Sequence, residues 1–331
     1  MNLAFTKMHG LGNDFIVIED LEADITLDES QVIALCDRHR GIGADGIMLL
    51  RRGITKGDKS ADYEWWFANA DGSRPEMCGN GIRCAARYLF DKGLIPENDE
   101  GAQRVSILTD AGHKYITVER AADGAFARAI VEMGRANLDP AAVGARLSGN
   151  VPYRCDNLSV YSDTPMDQTD EVESILLDYP FEIEYPASHV IDTMSETIPI
   201  TCVSMGNPHT IIDVEHVGVS LDDVPVELLG PLIETHEAFT KGTNVEFIEV
   251  VDRNTLNLRV WERGCGETNA CGTGACAAAV SAFLHNEVGS DVTVRLRGGD
   301  LHIEIDPETL DVKMAGPAEV VYAGSVDLNR L

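Results

Sequence analysis

The amino-acid sequence predicts an α+β protein of two pseudo-symmetric domains, each a curled, mainly antiparallel β-sheet wrapped around a central helix. Three observations predict it. First, three blocks recur in the same order: "GNDFIVIED" from Gly12 and "GNPHTIIDV" from Gly206, "GIGADGIMLL" from Gly41 and "KGTNVEFIEV" from Lys241, "CGNG" from Cys78 and "CGTG" from Cys271. Second, the interval from Gly12 to Cys78 nearly equals that from Gly206 to Cys271, the mark of an internal repeat. Third, each cysteine block opens a helical pattern and is followed by short β-type segments.

The elements follow in order. Residues 15–18 and 47–50 are strand-like. "TLDESQVIALCDRHRG" reads as a helix, with Thr26 and Glu29 as a capping box and Gly41 as its stop. Residues 82–92 form a second helix, with Ile82, Ala85, Ala86 and Leu89 on one face and Gly93 after it. Strands are expected at 105–108, 115–119 and 129–133. The second half repeats the scheme, with a helix near 225–236 and strands at 244–250 and 256–261. The helix after Cys271 carries alanine on nearly every side, which suits burial within a wrapped sheet. Strands at 292–296, 301–305 and 312–314 close the half. The segment from 140 to about 197 matches no repeat and reads as an elaborated connection.

A chain of 331 residues is long enough for two domains with a well-buried core. Apolar residues make up 44% and charged residues 24%, ordinary values for a globular protein. The net charge of −29 argues against a nucleic-acid partner, because phosphate repels it. No apolar run reaches the roughly 18 residues of a membrane span, and "MNLAFTKMHGLGNDF" lacks a signal-peptide pattern. The expectation is a cytoplasmic protein with no membrane partner. Eight cysteines without a C-x₂-C pair favour reduced thiols over disulfides or a zinc site, so no metal is expected.

A cysteine at a helix start has a particular chemistry. Unpaired backbone N–H groups and the helix dipole concentrate positive charge there, which favours thiolate and can hold a carboxylate. Two such cysteines in homologous halves suggest paired thiols. One would remove a proton α to a carboxylate while the other returns one to the opposite face. Cysteine is also commonly a small buried hydrophobe. That reading is taken for Cys36, Cys84, Cys155, Cys202, Cys265 and Cys276. Repetition and position set Cys78 and Cys271 apart.

At "KMHGLGNDF", "RHRGIGADG", "FANADGS", "MCGNGIRC", "VSMGNPH", "LGPLIETH", "TNVEF", "ERGCGETNACGTGACAAA" and "GGDLHIE" the chain resembles the diaminopimelate epimerase family. The resemblance implies a cofactor-independent epimerase that interconverts LL-2,6- and meso-2,6-diaminopimelate in lysine and cell-wall precursor synthesis. It implies a homodimer of subunits whose two α/β domains enclose the active site. It also implies that the C-terminal segment rejoins the first domain. The expected domains are therefore 1–134 plus 317–331, and 135–316. Cys78 and Cys271 would be the acid/base thiols, assisted by His209 and Glu262. Gly79, Asn80, Gly272 and Thr273 would offer backbone N–H groups to the carboxylate at the reacting centre. Asn13, Asn69, Asn207, Asn244, Glu262 and Arg263 would hold the amino groups and the distal carboxylate. Many members carry Gln where this chain has Gly46, and the 140–197 segment looks longer than usual. Proline racemase-like enzymes typically read "CGH" where this chain has "CGN", and phenazine-type isomerases lack the thiol pair. A thiol redox protein would show C-x-x-C. A binding protein without catalysis would need no paired thiols.

Overall fold

A computed structural model describes residues 2–53, 60–95, 103–145, 200–217, 219–236 and 238–330. The chain divides into two compact units, Met1–Glu132 with Ala315–Leu331, and Met133–Met314.

The first unit contains β1 (Asn2–Gly10), β2 (Asn13–Glu19), α1 (Glu29–Cys36), β3 (Gly46–Arg52), β4 (Tyr63–Asn69), α2 (Gly79–Asp91), β5 (Gln103–Thr109), β6 (Gly112–Arg120) and most of β7 (Phe126–Arg135). Strands β1 and β2 pair antiparallel, β2 and β3 parallel, β3 and β4 antiparallel, β4 and β5 parallel, and β5 and β6 antiparallel. A parallel pair needs a crossover. Here α1 lies in the β2–β3 crossover and α2 in the β4–β5 crossover.

The second unit contains β8 (Thr201–Ser204), β9 (Pro208–Asp213), α3 (Val214–Val217), α4 (Val226–Glu234), β10 (Asn244–Asp252), β11 (Thr255–Glu262), β12 (Gly266–Thr268), α5 (Gly272–Leu284), β13 (Asp291–Leu296), β14 (Gly299–Ile305) and most of β15 (Asp311–Gly316). Its pairing alternates in the same way: β8/β9 antiparallel, β9/β10 parallel, β10/β11 antiparallel, β11/β13 parallel, β13/β14 antiparallel. Strand β12 is an addition, paired to β11. Helix α5 occupies the crossover that corresponds to α2. The repeat read from the three sequence blocks is thus a repeat of topology. The final strand, β16 (Glu319–Asp327), pairs antiparallel with β1.

The two central helices are buried differently. Helix α2 packs on β1, β2 and β6, burying Ile82, Cys84, Ala85, Ala86 and Leu89. Helix α5 touches β8, β9, β10, β11, β13 and β14, and Ala275 to Ala282 are all buried. Small side chains let strands approach it from every side, as its composition indicates.

Several local expectations need correction. Helix α1 begins later and ends earlier than predicted. Its cap is Asp28, whose carboxylate accepts from Gln31 N while the Gln31 side chain accepts from Asp28 N. Thr26 and Glu29 do not form the box. Asp37 ends the helix by turning its carboxylate onto the N–H groups of His39 and Arg40. Helix α2 starts at Gly79 rather than Ile82, because Cys78 is its cap. Of the 140–197 segment, a short 3₁₀ turn at Pro140–Val143 and a bridge from Ala145 to Phe239 are seen. Its remainder, with Cys155, lies outside the described residues.

Just beyond α5, Glu287 is partly buried, with Oε2 lacking a hydrogen-bond partner among the described residues. Burial, then the charges of Asp213 and Glu215, push its carboxyl up to about 7. A carboxyl raised in the fold favours folding most when protonated. Its contribution is full below the unfolded value of 4.5 and is lost as pH rises through about 7. Glu287→Gln should therefore stabilise the protein by about 1–2 kcal/mol at pH 8, after allowance for solvent screening, and by little at pH 4. Urea midpoints at the two pH values check this.

Candidate active site

The chemistry of the first unit gathers where β2 meets the start of α2. Cys78 is the N-cap, in extended conformation, and its Sγ accepts from Gly81 N at 3.3 Å. Sulfur here does the work of a Ser or Asp cap. Asn80 donates through Nδ2 to Asn13 Oδ1 at 3.0 Å, and the Cys78 Sγ lies 4.0 Å from the same oxygen. Asn13 in turn donates to Asp45 Oδ2 at 2.7 Å. Fully buried Arg83 binds Asn80 Oδ1 at 3.0 Å, Gly79 O at 3.1 Å and Pro317 O at 3.1 Å. The turn is therefore held from behind. Beside it, Asp14 bonds Lys7 and Arg38. Burial would raise Asp14, but hydrogen bonds from Arg38, Lys7 and Asp45 outweigh it and hold the carboxyl well below the usual range. Asn69 donates through Nδ2 to Ser73 Oγ at 3.0 Å. Its strand partner is Gly46, where a Cβ would lie 2.8 Å from Ala68 O and 3.0 Å from the Phe67 ring. A longer residue at 46 would need that wall to move.

The second unit builds its counterpart from β9, β10, β11 and α5. Cys271 caps α5 and accepts from Gly274 N at 3.3 Å. Its sulfur lies 3.5 Å from Thr273 Oγ1, which accepts from Asn207 Nδ2 at 3.1 Å. Asn207 Oδ1 sits 3.1 Å from His209 Nε2, and His209 Nδ1 sits 2.7 Å from Glu246 Oε1. His209 and Glu246 are completely buried. Glu262 accepts from Thr268 Oγ1 at 2.5 Å and is within hydrogen-bonding reach of Cys271.

The electrostatics of Cys271 reverse the expectation drawn from its helix position. Burial, then the nearby Glu262 and Glu246, push its thiol well above the ordinary value, against the bonds from Thr273 and Gly274 that lower it. Desolvation also raises Glu246 and Glu262. A helix terminus lowers a thiol when water and cations surround it. Here burial and two acids dominate, so Cys271 stands as a thiol.

Asn244, at the start of β10, lies beside Arg263, just past the end of β11. Both ends of the buried Asn244 amide engage backbone, Nδ2 to Pro208 O at 2.8 Å and Oδ1 from Arg263 N at 2.9 Å. Arg263 is exposed, and its guanidinium donates to Lys241 O at 3.0 Å. Two residues were missed by sequence reasoning. Arg83 sits under the Cys78 turn, and Glu246 holds His209. Both left a signal: an arginine on the apolar side of "NGIRCAA", and an acid inside the apolar run "VEFI". Among the described residues there is no group of three or more side chains placed to hold a metal, and no helix long and apolar enough to cross a membrane.

Two homologous α+β halves, each with a central helix in a parallel crossover, define a fold known in solved structures. One is a phenazine biosynthesis protein of the PhzF family from Bacillus anthracis, with a TM-score of 0.64 and 16% identity over 98% of this chain and 99% of that one. Another is a hydroxyproline epimerase from Agrobacterium vitis, with a TM-score of 0.64 and 12% identity over 98% and 92%. At such identities the likeness is one of fold. Sequence narrows it further: the family model described as diaminopimelate epimerase matches residues 5–138 and 201–321. A diaminopimelate epimerase from Acetivibrio thermocellus is 40% identical over 99% of this chain and 100% of the relative, and one from Methanococcus maripaludis is 38% identical over 98% and 100%. The chain belongs to the diaminopimelate epimerase family.

The glycines after the two caps are not equivalent. A Cβ at Gly274 would fall 2.7 Å from Glu246 Oε1, whereas one at Gly81 would meet nothing nearer than 3.4 Å. Gly274→Ala should cost about 1–3 kcal/mol through overpacking, and Gly81→Ala clearly less. Comparing the two urea midpoints checks the difference.

Proposed function

We propose that this protein interconverts LL-2,6-diaminopimelate and meso-2,6-diaminopimelate by moving a proton at one α-carbon between two thiols, those of Cys78 and Cys271. The observation that supports this most is the matched placement of both cysteines. Each caps the central helix of its half and each sulfur accepts the N–H three residues on. Family membership supplies the substrate.

In this reading one cysteine, as thiolate, takes the α-proton from one face of the carbon. The other, as thiol, gives a proton to the opposite face, and the roles exchange in the reverse direction. Burial holds Cys271 as a thiol, which suits it to enter as the donor. Backbone N–H groups at the starts of α2 and α5, from Gly79, Asn80, Gly272 and Thr273, bind the reacting carboxylate and stabilise charge that spreads onto it as the proton leaves. Glu262, with its raised carboxyl beside Cys271, takes up or returns the thiol proton, and His209 assists. Arg263 grips the distal carboxylate through its planar fork, while Asn13, Asn69, Asn207, Asn244 and Glu262 complete the substrate contacts. The protein works in the cytoplasm as a homodimer and without a cofactor.

Purified protein incubated with LL-diaminopimelate should form the meso isomer. Cys78→Ala and Cys271→Ala should each lower turnover by more than about a hundredfold in both directions, since each removes one obligatory proton carrier. Near-normal turnover by either variant in either direction contradicts the assignment.

A further inference from the structure

The two halves can be compared position by position beneath their cysteine helices. In the first, Phe15 lies two residues beyond Asn13, paired in register with Gly46. In the second, His209 lies two residues beyond Asn207, paired in register with Asn244. Two residues further along the partner strands stand Met48 and Glu246. Each reaches the third residue after its cysteine: Met48 Cε lies 3.4 Å from the Cβ position of Gly81, and Glu246 Oε1 lies 2.7 Å from that of Gly274. All four side chains are buried. The same fold is thus supported by Phe–Met in one half and by His–Glu in the other. Apolar packing suffices at these positions, so stability does not explain the polar pair. It is a costly choice, because Glu246 Oε2 is buried with no hydrogen-bond partner among the described residues.

The pair leads to the sulfur by an unbroken path. Asn207 Oδ1 accepts from His209 Nε2–H, Asn207 Nδ2 donates to Thr273 Oγ1, and that hydroxyl is left free to donate to Cys271 Sγ. With the donor from Gly274 N, two hydrogen-bond donors then converge on one sulfur. The direction of the path depends on a proton at His209 Nε2 and on a fixed ring. Glu246 provides the second by gripping Nδ1 at 2.7 Å.

We propose that Glu246 is a positioning residue for Cys271: by anchoring the His209 ring it orients Asn207 and aims the Thr273 hydroxyl at the sulfur, favouring the thiolate that the reverse half-reaction needs. This rests on the epimerase reading for its purpose but not for its test. The ionisable groups facing Glu246 are His209 on β9, Glu262 on β11 and Cys271 at the head of α5. A second role for Glu246 would be purely electrostatic, and it has the opposite sign. The Glu246 charge raises the thiol, so removing it would make thiolate easier to form.

The test is alkylation by iodoacetamide across a pH series, with each cysteine scored by mass spectrometry and Cys78 as the internal reference. No substrate is present, so the outcome is read independently of whether the chain epimerises diaminopimelate. In Glu246→Met the ring loses its anchor, and Cys271 should react at least about tenfold more slowly at a fixed pH near 8, as for a thiol one unit less acidic. Cys78 should stay within about twofold of its wild-type rate. Glu246→Gln keeps a hydrogen-bond partner for Nδ1 without the charge, and should return most of the lost rate. The double variant His209→Phe/Glu246→Met copies the packing of the first half, so it folds even if the single variant does not, and it should be slowed like Glu246→Met. An unchanged or faster Cys271 in the methionine variants, or equal behaviour of the Gln and Met variants, overturns the proposal.

Discussion

The interaction on which the rest depends is the acceptance of a backbone N–H by a cysteine sulfur at the start of a buried helix. It occurs once in each half, from Gly81 to Cys78 and from Gly274 to Cys271, at the same distance. The cap fixes where the helix begins, and with it where its first N–H groups point. A glycine three residues on lets a strand side chain come up beneath the turn. The parallel crossovers place α2 and α5 at corresponding points of the two pairing patterns. The site is therefore a product of topology as much as of residue choice.

Upon this common frame the halves have been made chemically unlike. The Cys78 turn rests on Met48 and is tied from behind by Arg83, a buried cation bound to Asn80 and Gly79. The Cys271 turn rests on an acid and a histidine, with Glu262 alongside. Burial penalises charge at the Cys271 sulfur, and the two nearby carboxyls lift its thiol further. A reversible inversion needs one protonated and one ionised carrier at any moment, and unlike surroundings are a direct way to keep two chemically identical groups apart.

Much of the fold could be read from the sequence, because its signals are local and repeated. The blocks around Gly12, Gly206, Cys78 and Cys271 revealed the repeat, and alternation or apolar runs located most strands. What was missed lacked such signals. Strand β16 is exposed along nearly all its length, so nothing in its pattern marks a buried face. In β1 the buried Lys7 interrupts the apolar alternation, and its ammonium goes to Asp14 and Gly43 O. The cap of α1 was placed two residues early because Thr26–Glu29 and Asp28–Gln31 satisfy the same pattern, and only the second is made. At the candidate site, residue types and spacing identified the cysteines. The partnership of His209 with Glu246 depends on register between parallel strands, which no local pattern records. The direction of the Cys271 shift was missed for a related reason. A helix start is visible in sequence, whereas the burial and the acids that outweigh it belong to the packed structure.

The central claim is that two separate groups handle the proton on the two faces of the carbon. Hydrogen isotope exchange during the first turnovers tests it most directly. The reaction is started in deuterated water from one pure stereoisomer and stopped early. If one thiol removes the substrate's hydrogen and the other, already equilibrated with solvent, delivers its own, the product carries deuterium at the inverted carbon while remaining substrate stays largely unlabelled. Early product that retains a substantial share of the original hydrogen would show a single carrier serving both faces and would contradict the account.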